Sequence, residues 1–151
     1  MLIYGVCIDD VKKTKEDGIK ELMKLYKYAD GSTLYDEYVE WIEDNFGEEG
    51  SDPEANVDEF IMDFDNGCGY NGLGALLASV IEDMEGIDIT VEDDNSGFQY
   101  VGIGADTPWN FNDKTKAMSE EEYLQILHKY MNMVTDEALE IRWWQANNGE
   151  Y

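Results

Sequence analysis

Asp36, Glu37, Glu40, Glu43 and Asp44 recur at intervals that put side chains on one face of an α-helix. Five carboxylates in a row could hold a hard cation, move protons, or reproduce the negative charge of a phosphate strand. At 1.5 Å per residue, positions 36 to 44 span about 12 Å, and one strand of duplex DNA places about three or four phosphates over that length. The acidic series continues through Glu48, Glu49, Asp52, Glu54, Asp58, Glu59, Asp63 and Asp65. The absences matter equally: no Lys, Arg or His stands between Lys27 and Lys114, a stretch of 86 residues with 23 Asp and Glu. The net charge of −25 therefore sits almost wholly in one block. Self-repulsion at that density opposes the compact state, so the expected use of the block is charge matching to a basic partner. Nucleic acid and anionic membrane would be repelled.

The other chemistries fit less well. Gly67-Cys68-Gly69-Tyr70-Asn71-Gly72 spells G-x-G-x-x-G, with Glu92 about 20 residues on. That dinucleotide signature needs a strand in front and an electropositive turn. Here Pro53 to Phe64 reads as a helix, and Asp63 and Asp65 precede the turn; a glycine turn that permits positive φ is the better account. Asp63-Phe64-Asp65-Asn66-Gly67 begins like a calcium loop, but its glycine is at the fifth position and its twelfth residue is Gly74 rather than Glu. His128, the only histidine, falls on the solvent side of the last helix, and nothing in the sequence orients it toward Cys7 or Cys68. No Lys or Arg clamp for phosphoryl groups accompanies the carboxylates. The sequence thus predicts no catalytic residue, no metal site and no cofactor.

The elements that must position the row follow from periodicity. Leu2 to Ile8 is apolar on both alternating sets and predicts a central strand covered on both faces. Val11 to Ala29 predicts a helix with Ile19, Leu22, Met23, Leu25 and Tyr26 inward and six lysines outward. Ser32 or Thr33 caps a second helix to Phe46, with Leu34, Tyr38, Trp41 and Ile42 opposite the acidic face. Pro53 opens a third helix to Phe64, and Leu73 to Met84 is a strongly apolar helix ended by Gly86. Ile87 to Glu92 and Phe98 to Ile103 predict a hairpin. Ser119 with Glu122 forms a capping box for a helix through Val134, and Leu139 to Gln145 predicts a final strand. In that strand Leu139, Ile141 and Trp143 face one way and Glu140, Arg142 and Trp144 the other, which makes Trp144 the candidate exposed anchor. The expected class is α+β in one domain spanning residues 1–151, a ferredoxin-like β-α-β-β-α-β core with acidic helices inserted after the first strand, at about residues 32–65. Its central strands would be the first and the third.

A chain of 151 residues buries about 68–70% of its unfolded surface, enough to fold without disulfides. Two cysteines without framework spacing, and no signal peptide, transmembrane run or lipidation motif, predict a reduced, cytoplasmic setting. Asp106-Thr107-Pro108-Trp109, Ser119-Glu120-Glu121-Glu122, Lys129-Tyr130, Thr135-Asp136-Glu137, Glu140-Ile141 and Gln145 with Asn148-Gly149 form a pattern over about the last 45 residues. It resembles the C-terminal half of small acidic proteins of phages and mobile elements of Gram-positive bacteria. In composition the whole chain resembles the DNA-mimicking anti-CRISPR and anti-restriction inhibitors, a class rather than a family, so no functional residue carries over by position.

The function expected from charge and resemblance together is non-enzymatic inhibition in the cytoplasm of an infected or lysogenic bacterial host. The acidic residues from 36 to 65, joined by Asp88, Glu92, Asp93 and Asp94, would occupy the basic nucleic-acid channel of a defence nuclease, by preference an RNA-guided CRISPR nuclease. The alternatives are an acidic module that binds a restriction enzyme or another basic protein, and a nucleotide- or calcium-binding protein. Halophilic adaptation ranks last, because it lowers lysine everywhere rather than gathering it in one helix.

Overall fold

The first strand is the axis of the fold. In a computed structural model that describes residues 2–46, 57–65, 72–94, 97–104 and 111–145, β1 (Leu2–Cys7) lies between β3 (Gln99–Gly104) and β4 (Arg142–Gln145). β2 (Thr90–Asp93) flanks β3, giving a four-stranded antiparallel sheet in the order β2-β3-β1-β4. The first and third strands are thus central. β1 is buried on both faces, as its double apolar pattern requires: Val6 faces the helices, while Ile3 and Cys7 join Tyr100 and Trp144 on the other side. Gly5 and Gly102 oppose each other in the ladder, and a Cβ at Gly5 would fall 2.0 Å from the Val101 carbonyl oxygen. Only glycine allows the two central strands this approach.

Among the described residues six α-helices accompany the sheet: α1 (Glu16–Leu25), α2 (Leu34–Phe46), α3 (Val57–Met62), α4 (Gly72–Glu85), α5 (Asp113–Ala117) and α6 (Glu120–Val134). Residues 74–78, 80 and 81 of α4 are all buried, which makes it the core helix. It meets β2, β3, α1, α3 and α6. Ile19, Leu22 and Met23 of α1 and Tyr123, Leu127, Tyr130, Met131 and Val134 of α6 complete the helical core. The chain is therefore α+β, with its main core on one face of the sheet and a small aromatic cluster on the other.

Local signals hold where they are strong. Ser119 caps α6, its Oγ accepting from the Glu122 amide at 3.1 Å, and Gly86 ends α4 at φ 71°. The expected hairpin joins β2 and β3 through a turn with Gly97 at φ 86°.

Boundaries differ at the first helix, β2 and β4; at the first two, hydrogen bonds from outside the local pattern take backbone groups that the pattern would use. The first helix runs from Glu16 to Leu25 rather than from Val11 to Ala29. At its start the Lys15 amide donates to the Val134 carbonyl at 2.7 Å, and the Lys12 amide donates to the Glu137 carboxylate at 2.8 Å. At its end the Leu34 amide donates to the Tyr26 carbonyl at 2.9 Å, and Lys27 bridges to Thr33. β2 begins at Thr90 rather than Ile87, since the Asp88 amide donates to Thr115 Oγ1 and the Ile89 amide to Glu82 Oε1. β4 begins at Arg142 rather than Leu139; Leu139 and Ile141 pack on the helical core outside the ladder.

The short α5 carries no apolar period that would announce it. Asn112 caps it by accepting from the Thr115 amide at 2.8 Å.

Candidate partner-binding surface

α2 begins at a capping box: Thr33 Oγ1 accepts from the Asp36 amide at 3.3 Å, and the Asp36 carboxylate accepts from the Thr33 amide at 2.9 Å. Leu34, Tyr38 and Ile42 are buried on the inner face, with Trp41 half-buried beside them. Asp36, Glu37, Glu40, Glu43 and Asp44 are all exposed and, at 3.6 residues per turn, fall within an arc of about 120°. The predicted row exists as a row.

α3 is tied to α2 through aromatic contacts, with Phe60 5.2 Å from Tyr38 and 5.4 Å from Trp41 between ring centroids. Tyr26 adds an edge-on contact to Phe64 at 5.1 Å. Asp58, Glu59, Asp63 and Asp65 are exposed. Between the two helices lies a hollow of about 320 Å³, and Glu37, Asp63 and Asp65 from separate parts of the chain line it together.

The carboxylates do different jobs. Asp36 belongs to the cap. Glu37 accepts from the Tyr28 hydroxyl, and burial together with this bond pushes the Tyr28 pKa up. Asp58 accepts from the Thr14 hydroxyl at 2.9 Å. Among the described residues, Glu40, Glu43, Asp44, Glu59 and Asp63 have no ion pair and no side-chain hydrogen bond. Ion pairs instead join Lys15 to Asp136, Lys24 to Glu21, Lys129 to Glu85 and Arg142 to Glu140. Glu48, Glu49, Asp52 and Glu54 lie outside the described residues.

The suggested extension into the hairpin is largely taken up by the fold. Asp88 accepts from the Asn112 amide and the Thr115 hydroxyl. Asp94 accepts from the Phe98 amide and the Tyr100 hydroxyl. Glu92 is half-buried, which leaves Asp93 exposed.

Trp144 is not the exposed anchor that strand alternation suggested. It is half-buried against Tyr100 at 5.5 Å, its indole N–H donates to the Gly5 carbonyl at 2.8 Å, and the Arg142 guanidinium lies 3.7 Å from its ring centroid. Among the described residues the exposed indole is Trp143, at 50% accessibility, packed against Tyr4. The alternation was right and the covered face was not. The inter-helix hollow has no sequence signal, because Tyr28 falls within the expected first helix and the residues around the hollow are spread from 28 to 65.

Cys7 is buried in the cluster on the sheet face away from the helical core, whereas His128 is exposed on α6, which packs on that core. The two cannot act as a pair. Cys68 and most of the glycine turn lie outside the described residues, and the element before that turn is α3, not a strand. Among the described residues no three His, Cys, Asp or Glu side chains are placed to hold a metal ion, and no helix is long and apolar enough to cross a membrane. No protein-family model, curated protein or solved structure matches this chain.

Proposed function

We propose that the chain is a non-enzymatic, phage-type inhibitor that acts in the cytoplasm of a bacterial host by laying a DNA-like acidic surface into the basic channel of a defence nuclease. An RNA-guided CRISPR nuclease is the preferred target. We read the fold as ferredoxin-like, a reading supported by the antiparallel order β2-β3-β1-β4, with α2 and α3 as the acidic insertion. The observation that carries the function is the outer face of α2. Five exposed carboxylates lie in one arc, and none of the described ion pairs reaches them. A channel that reads phosphate position through Lys and Arg can be filled by carboxylates at comparable spacing, with no base edges required. Long-range attraction between the two surfaces would speed association and make it strongly salt-dependent.

The test is cleavage by a guide-loaded nuclease with the protein added before or after target DNA. Inhibition only when the protein precedes DNA is the expected result. The informative variant is E40K/E43K/D44K, which leaves the Asp36 cap and the Glu37–Tyr28 bond in place. A folded triple variant that inhibits as well as the native chain would remove α2 as the contact. No inhibition by the native chain in either order would remove the RNA-guided target and direct the search to other basic proteins.

A further inference from the structure

We infer that α2 is the first of the described elements to open, unwinding from its C-terminal end, and that counter-cations from salt or from the basic partner close it. The opening is a property of the free chain; only closure by a partner rests on the proposed function.

The two ends of α2 are held unequally. Its first turn carries the Thr33 capping box, the Leu34 amide bonded to the Tyr26 carbonyl, the bridge from Lys27 to Thr33, and the Tyr28 hydroxyl on Glu37. Lys24 reaches α2 from α1, but over Tyr35 at 4.9 Å, again near the helix start, and it pairs with Glu21. Farther along, Ile42 is buried and Trp41 packs half-buried on Phe60. Glu40, Glu43 and Asp44 have no ion pair and no side-chain hydrogen bond among the described residues. By contrast, residues 74–78, 80 and 81 of α4 are buried together in the core. Elements with few buried contacts and exposed backbone bonds open ahead of the whole chain.

Charge biases that opening. Glu40 stands at helical spacing from Asp36, Glu37, Glu43 and Asp44, and repulsion across those four pairs shifts a local equilibrium toward the open form by about five- to thirtyfold. Glu43 and Asp44 also meet the negative end of the helix dipole. Paired positions lie about 5–6 Å apart. Their repulsion persists where the screening length is about 30 Å, at 10 mM salt, and is largely removed where it is about 3 Å, at 1 M. A row of lysines on a partner supplies the same counter-charge locally, so binding would complete the outer turns of α2.

The test is amide hydrogen exchange of the full chain at pH 7, read by residue and corrected for intrinsic rates, with urea added below the unfolding range. At 10 mM NaCl the amides of residues 41–46 should exchange at least about tenfold faster than those of residues 76–81 in α4, with a weaker urea dependence. At 1 M NaCl the protection of 41–46 should rise at least about fivefold in the native chain and less than about twofold in E40Q/E43Q/D44N; protected α4 amides show that the variant is folded. Excess decalysine at 10 mM NaCl should slow the same amides at least about threefold. Equal rates and equal urea dependence in α2 and α4 would overturn the local opening. A salt response unchanged in the triple variant would overturn the charge bias, and decalysine that leaves the amides unslowed would overturn closure by a basic partner. None of these readouts uses a nuclease. Slowed exchange without inhibition would remove the proposed target alone, whereas inhibition without slowed exchange would remove the closure alone.

Discussion

Removing the outer charges of α2 should make the protein more stable and less active, and the structure gives the size of the first effect. In E40Q/E43Q/D44N four like-charge contacts at helical spacing disappear: Asp36 with Glu40, Glu37 with Glu40, Glu40 with Glu43, and Glu40 with Asp44. Each such pair costs an exposed helix about 0.2–0.5 kcal/mol at low salt, so together they amount to about 1–2 kcal/mol. Glu43 and Asp44 also sit near the C-terminal end of α2, where the helix dipole disfavours anions by a further few tenths of a kcal/mol each. No described ion pair offsets these terms. For a chain of this size about 1 kcal/mol corresponds to about 2–4 °C in Tm, so the triple variant should melt about 3–8 °C higher in dilute buffer. The gain should shrink in 0.5 M salt as the repulsion is screened. Urea unfolding at both salt concentrations measures the energy, and the cleavage assay measures activity. A variant that is no more stable at low salt would refute the repulsion argument. One that is more stable yet inhibits fully would show that the row is not the contact surface.

Two further outcomes test the fold that carries the site. Gly5→Ala should destabilise the chain by about 1–3 kcal/mol, because the added Cβ meets backbone atoms of Val101 and Gly102 that cannot move without opening β1 from β3; urea unfolding reads it, and a loss below about 1 kcal/mol would contradict the close approach. Glu85 accepts from the Tyr130 hydroxyl and pairs with Lys129 at 3.3 Å, and these contacts hold its pKa below the ordinary 4.5. A depressed folded pKa means the unfolded chain binds the proton more tightly, so stability from Glu85 is present above pH 4.5 and lost as pH falls through the folded value. Glu85→Gln should therefore be less stable than the native chain at pH 7, by about 1–3 kcal/mol, with the difference closing in acid; a gap independent of pH would remove the charged contact as its cause.

The sequence by itself determined what depends on neighbours three or four residues away. The acidic face of α2, the Thr33 and Ser119 caps, the apolar run of α4 and the double apolar pattern of β1 all follow from periodicity and capping. The charge segregation was also complete in the sequence, because no fold can bring a lysine into a segment that has none. Tertiary structure decided which backbone donors were already taken. Val134, Tyr26, Thr115 and Glu82 claim partners from distant segments and so set the ends of α1 and the start of β2.

It also decided which aromatic is covered. Alternation assigns Trp143 and Trp144 to opposite faces, but Tyr100 packs over Trp144 from another strand, so Trp143 is the exposed one. The hollow belongs to the same category. Glu37, Asp63 and Asp65 meet around it only because Phe60 packs on Tyr38 and Trp41, a contact between helices that no local rule encodes.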